Sequence, residues 1–225
     1  MPDITAASAA SAASPASRPA PGHPAVILAG GRSSRMGANK AMLPLGGRPL
    51  IAHVIARLLP QASAVAISAR PGWAEDLGYP VIADEMPDQP GPLAGILAGL
   101  RHVQRHHPEA SHMLSAPADS PFLPATLADQ LAASLAGRDM IVIAASCDRE
   151  HPVFGLWPVA IADDLEHWLA NDENRRVRSF LARHPVQGVG FPMQTTVIGP
   201  LDPFFNINTP ADLEQAELFL EALGG

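Results

Sequence analysis

The chain has 225 residues, 47% of them apolar and only 16% charged, with a formal net charge of −7. The apolar fraction is ample for a packed core and the length suits one domain, while the negative balance excludes a broadly basic nucleic-acid-binding surface without excluding a local basic pocket. One cysteine, Cys147, excludes an intrachain disulfide and a cysteine-pair zinc site, and fits a reducing, cytoplasmic setting.

Residues 1–24 are mostly Ala, Ser and Pro. They lack the basic and continuous apolar regions of a signal peptide and have nothing with which to build a core, so a disordered tail is expected before a single domain over 25–225. No segment reaches the ~18 continuous apolar residues of a membrane span. From residue 25 onward, strand-like and helix-like segments alternate. Residues 25–28 read as a buried strand, followed by the glycine-rich, basic stretch 28–40. Pro49 opens a helix to about Leu59, a position where proline is favoured. Residues 64–68 and 81–83 read as strands. A helix starts near Gly91-Pro92, with Leu93, Ile96, Leu97, Leu100 and Val103 on one stripe. Residues 113–115 form the next strand, a third helix starts at Pro124, and 140–144 is another strand, with Cys147 expected as a small apolar residue beside it. Residues 151–157 read as a strand, 161–169 and 177–182 as helices, and 188–191 as a short strand. The last helix has a clear start: Thr209 as N-cap, Pro210 in the first turn and Asp212 three residues past the cap. This β-α-β rhythm implies a mostly parallel sheet with helices on both sides, which binds ligands beyond the carboxyl ends of its strands.

Two segments lie at such ends. In 28–40, Gly30, Gly31 and Gly37 let the backbone approach a ligand, and Arg32, Arg35 and Lys40 supply charge for phosphate. The spacing is neither a Walker loop nor a dinucleotide fingerprint; the choices left are a nucleotide cradle of another kind or a solvated basic turn. In 115–121, two prolines flank Asp119 in an extended path. Its carboxylate is placed either to hold Mg²⁺, which takes one or two protein carboxylates plus substrate phosphates, or to cap a turn. Asp84 ends another strand, as a ribose or base contact or a solvated strand end. Gly91 to Gly95 open a helix start suited to an anion or to close packing. Asn206 and Asn208 precede the last helix as ligand amides or turn residues. His106-His107 reads as a helix end, and His151 as a ligand contact or a strand-edge residue.

Together these segments resemble the molybdenum cofactor guanylyltransferases. The stretch 28–40 resembles their signature loop, and 91–95, 117–123, 151–153 and 202–210 match their later motifs in the same order. The resemblance covers residue 25 to the C-terminus and implies a three-layer, Rossmann-like nucleotidyltransferase fold with a mostly parallel, mixed sheet. It implies transfer of GMP from GTP to the terminal phosphate of molybdenum-molybdopterin, with release of pyrophosphate. Carried over by motif, Leu28, Ala29, Gly30 and Gly31 contact the nucleotide, Lys40 meets its phosphates with Arg35, Asp84 contacts GTP, Asp119 binds nucleotide and Mg²⁺, and Asn206 and Asn208 lie on the molybdopterin side. Molybdopterin-insertion and molybdoenzyme proteins are implied partners. The chain departs from the family's pattern at Asn39, often Asp, at Ala118, often Cys or Gly, and after the strand at 64–67, where some relatives place an asparagine and this chain has Ile67 and Ser68. The alternatives are CMP transfer to the same cofactor, disfavoured by the Gly30-Gly31 pair, a nucleotide-sugar pyrophosphorylase, which shares the loop style, and a non-catalytic nucleotide-binding chaperone for molybdoenzymes, disfavoured by Lys40 and Asp119.

Overall fold

The computed structural model describes residues 22–30, 40–70, 77–83, 91–171 and 176–224. Its centre is a seven-stranded sheet built from β1 (Ala25–Leu28), β4 (Val65–Ser68), β5 (Val81–Ile82), β6 (His112–Pro117), β7 (Ile141–Ser146), β8 (Arg149–Pro158) and β9 (Val186–Gly190), in the order β5-β4-β1-β6-β8-β7-β9. Strand β8 alone is antiparallel, to both β6 and β7; the other pairings in this sheet are parallel. Two small hairpins, β2 (Pro44–Leu45) with β3 (Arg48–Pro49) and β10 (Gln194–Thr196) with β11 (Gly199–Leu201), stand apart from it.

Alternate side chains send the strands into two cores, as a pleated sheet requires. On one face, Ile27, Leu114, Val142 and Phe154 pack with α1 (Leu50–Leu58) and α3 (Leu127–Ala133). On the other, Val26, Met113, Ile143 and Trp157 pack with α2 (Pro92–His106), α4 (Ala162–Asn171) and α5 (Val177–Leu181). The apolar stripe read in α2 is the buried one: Leu93, Ile96, Leu100 and Val103 are fully inside. Truncating any of these leucines to alanine would cost about 2–5 kcal/mol. Buried Gln61 joins α1 to the start of α3, donating to the Arg57 and Pro124 carbonyls and accepting from the Ala128 amide, so its polar atoms are satisfied. A third cluster, with Leu45, Leu50, Phe122, Leu201, Ile207 and Phe219, seats α6 (Pro210–Ala222) beside the first hairpin.

The expected strands and helices are present, with shifted ends. The third helix begins at Leu127, not Pro124, because residues 124–126 form a preceding turn closed by Leu127 N–H to the Pro124 carbonyl. Residues 22–24, assigned to the tail by composition, run along the sheet: His23 accepts from the Ser63 amide and Pro24 from the Leu114 amide. The rest of that tail lies outside the described residues. Cys147 is a correction. It is exposed, and with Asp148 it forms the two-residue turn between β7 and β8, with φ of 46° and 59°. Such turns need positive φ at both central residues. The chain reverses at Ser146, so Cys147 never joins the buried run before it.

Candidate active site

The parallel order reverses around β1: β4 and β5 extend from one side, and β6 returns on the other. That switch point is where an open α/β sheet leaves a crevice beyond its carboxyl ends. Leu28 closes β1 there. Its carbonyl accepts the Ala118 amide at 3.0 Å, and the Ala29 amide donates to the Ser68 carbonyl at 2.9 Å. The end of β1 is thus tied directly to the segment carrying Asp119. Gly30 follows, exposed, and among the described residues nothing lies within 4 Å of where its Cβ would stand.

Lys40 begins a single 3-10 turn, Lys40–Met42, just before the first hairpin. Its Nζ donates to Asp119 Oδ2 at 2.5 Å, to Asn208 Oδ1 at 2.8 Å and, at the long limit, to Asn206 Oδ1 at 3.4 Å. Four residues from three distant parts of the sequence therefore meet at one ammonium group. The backbone fixes them: the Ile207 amide donates to the Asp119 carbonyl at 3.0 Å. Behind Asn208, α6 opens with a capping box: Thr209 Oγ1 accepts the Asp212 amide, and the Asp212 carboxylate accepts the Thr209 amide. The same carboxylate accepts the Asn208 amide at 2.8 Å. The Asn208 amide, the main cause, together with Thr209 and the Lys40 charge, holds the Asp212 carboxyl below its ordinary range against a smaller opposing burial effect.

Asp119 Oδ1 is buried and has no hydrogen-bond partner among the described residues. An ionised oxygen left this way is costly unless something is bound to it, so the carboxylate suits a cation. Among the described residues, no group of three or more His, Cys, Asp or Glu side chains could hold a metal by itself. This donor set fits Mg²⁺, whose other ligands are typically substrate phosphates and water.

The helix start at 91–95 has both features that glycine allows. Gly91 takes φ 84°, and Pro92 occupies the first turn. A Cβ on Gly95 would stand 3.0 Å from Ser68 Oγ and 3.1 Å from Leu28 Cδ2. The first turn of α2 therefore lies close against the ends of β1 and β4, as the close-packing reading requires. His106 ends α2, as read from sequence. Of the expected site residues, Lys40, Asp119, Asn206 and Asn208 are brought into one cluster, and Leu28 is tied to it through the Ala118 amide. Gly31, Arg32, Arg35 and Asp84 lie outside the described residues. Sequence reading used Asp212 only as a helix cap and missed its hold on Asn208; the N-cap spacing was the available signal.

Residues 25–188 match the family described as MobA-like NTP transferase domain. The chain belongs to this family. A molybdenum cofactor guanylyltransferase of Rhizobium rhizogenes is 55% identical over 89% of this chain and 93% of its own length. One from Sinorhizobium fredii is 52% identical over 89% and 93%. Among solved structures, the molybdopterin-guanine dinucleotide biosynthesis protein A of Archaeoglobus fulgidus is 26% identical, with a TM-score of 0.66 over 88% of this chain and 98% of that one. The three-layer, mostly parallel nucleotidyltransferase fold implied by the motifs is the fold of this MobA-like chain. Among the described residues, no helix is long and apolar enough to cross a membrane.

Proposed function

We propose that this chain transfers GMP from GTP to the terminal phosphate of molybdenum-molybdopterin, forming the molybdopterin guanine dinucleotide cofactor and releasing pyrophosphate. The carrying observation is the Lys40 cluster. One cation is shared by the metal-suited carboxylate of Asp119 and by two amides from the chain's far end. The guanylyltransferase relatives, 52–55% identical over nearly the whole chain, supply the reaction.

In this reading Leu28, Ala29 and Gly30 border the nucleotide, and Gly30 leaves room for its phosphates. Gly31, Arg35 and Asp84 belong to the same nucleotide side. Asp119 would hold Mg²⁺, which would supply neutralisation of the triphosphate charge. Lys40 supplies a second positive charge and links the nucleotide side to Asn206 and Asn208, which meet molybdopterin. A phosphate oxygen of molybdopterin bonds to the α-phosphorus of GTP. The bond from that phosphorus to the α–β bridging oxygen breaks, and its electron pair leaves with pyrophosphate. The attacking group is already an anion, so no protein nucleophile is required. The chain's contribution is placement and charge.

The test is to incubate the protein with Mg²⁺, molybdenum-molybdopterin and each nucleoside triphosphate in turn, and to measure pyrophosphate. Release with GTP and little with CTP is expected. Preference for CTP would make this a cytidylyltransferase, and binding without release would make it a non-catalytic partner.

A further inference from the structure

Beside the Lys40 cluster lies a second polar chain. Ser146, the last residue of β7, is 3% exposed. Its hydroxyl stands 2.8 Å from Asp202 Oδ1 and 2.7 Å from His151 Nε2. A carboxylate only accepts, so the Ser146 proton goes to Asp202, and Ser146 accepts Nε2–H from His151. Asp202 Oδ1 also accepts the Phe204 amide at 2.9 Å, and its carbonyl accepts the Phe205 amide at 3.0 Å. The His151 ring lies 4.8 Å from that of Phe204.

This set resembles a hydrolytic triad only in its residue types. In a triad the serine gives its proton to histidine, and the carboxylate holds the histidine's other nitrogen. Here serine is the middle member, its proton is committed to aspartate, and it is buried. The set is a tether. It ties the start of segment 202–208 to the end of β7. The Ile207 amide on the Asp119 carbonyl, and the Asp212 carboxylate on Asn208, tie the other end.

We propose that Ser146, held between His151 and Asp202, positions the 202–208 segment so that Asn206 and Asn208 stand correctly for the molybdopterin substrate, and that it leaves the nucleotide side unaffected. All three are positioning residues. The inference rests on the reading of those asparagines as the molybdopterin side.

The experiment uses Ser146→Ala, which removes both hydrogen bonds and adds no bulk. Hydrogen exchange at the Phe204 and Phe205 amides should rise tenfold or more, with α1 unchanged. In turnover, KM for molybdenum-molybdopterin should rise about tenfold while KM for GTP stays the same, and Ser146→Thr, which keeps a hydroxyl, should restore it. Unchanged exchange overturns the tether. Equal rises in both KM values, or faster exchange throughout the sheet, reduce it to general stability and also overturn it. A wild-type chain that releases no pyrophosphate sinks the guanylyl reading instead, and the exchange measurement still decides the tether.

Discussion

Lys40 and Asp119 are 79 positions apart in the chain and meet at 2.5 Å, with 16% and 21% of their side chains exposed. The pair is partly sheltered, and without Asp119 the Lys40 ammonium keeps Asn208 as an acceptor. Asp119→Ala is expected to abolish GMP transfer while leaving the fold largely intact. Near-normal pyrophosphate release from this variant would remove the metal assignment. Lys40→Ala keeps the carboxylate but loses one charge contact, worth about 10²–10³ in kcat. An unchanged kcat would take Lys40 out of the reaction.

Thr209 and Asp212 hold the entry to α6 and, through the Asn208 amide, one wall of the cluster. Thr209→Ala removes a cap alone and should cost about 1 kcal/mol in denaturant unfolding. Asp212→Ala also frees Asn208, so its KM for the molybdopterin substrate should rise further than that of Thr209→Ala. Matching KM values in the two variants would show that the cap acts on stability only.

Gly155 sits in β8 opposite Ser115 on β6 and Ile143 on β7. A Cβ there would stand 2.9 Å from the Val142 carbonyl oxygen, which is backbone and has little room to yield. Replacing glycine restricts the unfolded chain and returns under ~1 kcal/mol. Overpacking costs about 1–3 kcal/mol, so Gly155→Ala should be destabilised on balance and melt lower by calorimetry. A raised Tm would contradict the crowding.

Burial, the largest cause, pushes the His112 pKa below its ordinary 6.5, and His23, His102 and His151 shift the same way. His112 Nε2–H donates to the Met140 carbonyl, and its other nitrogen accepts from Ser111. As pH falls below 6.5 the unfolded chain takes up protons first, so the unfolded state gains. Stability should be full above pH 6.5 and decline progressively below it, read as a falling denaturant midpoint. His112→Gln should flatten that decline; an identical slope would remove His112 from it. Asp212, shifted below 3.8, loses its contribution only at more acid pH and stays outside this window.

The alternating rhythm and the Leu93 to Val103 stripe were legible because each buries a face at its own period, so α2 and the sheet could be read without tertiary knowledge. The Lys40 and Asp119 motifs were legible as types in a place. Their contact was not, because spacing within one segment says nothing about a partner 79 residues away. The antiparallel run of β8 was hidden for a local reason: the reversal rests on Cys147 and Asp148 in positive φ, and neither is the glycine that usually marks such a turn. Ser146 was illegible because a lone serine at a strand end has no periodic or motif signal. His151 was left between ligand contact and strand edge, and the structure shows a strand residue with a polar partner.

The last partners of Lys40 lie 166 and 168 residues beyond it. A ribosome making this chain therefore delivers Asn206 and Asn208 only after the last strand of the sheet, which ends at Gly190. Until they emerge, Lys40 and Asp119 stand without the two amides that complete their cluster. The order of synthesis makes this cluster one of the last parts of the protein to close.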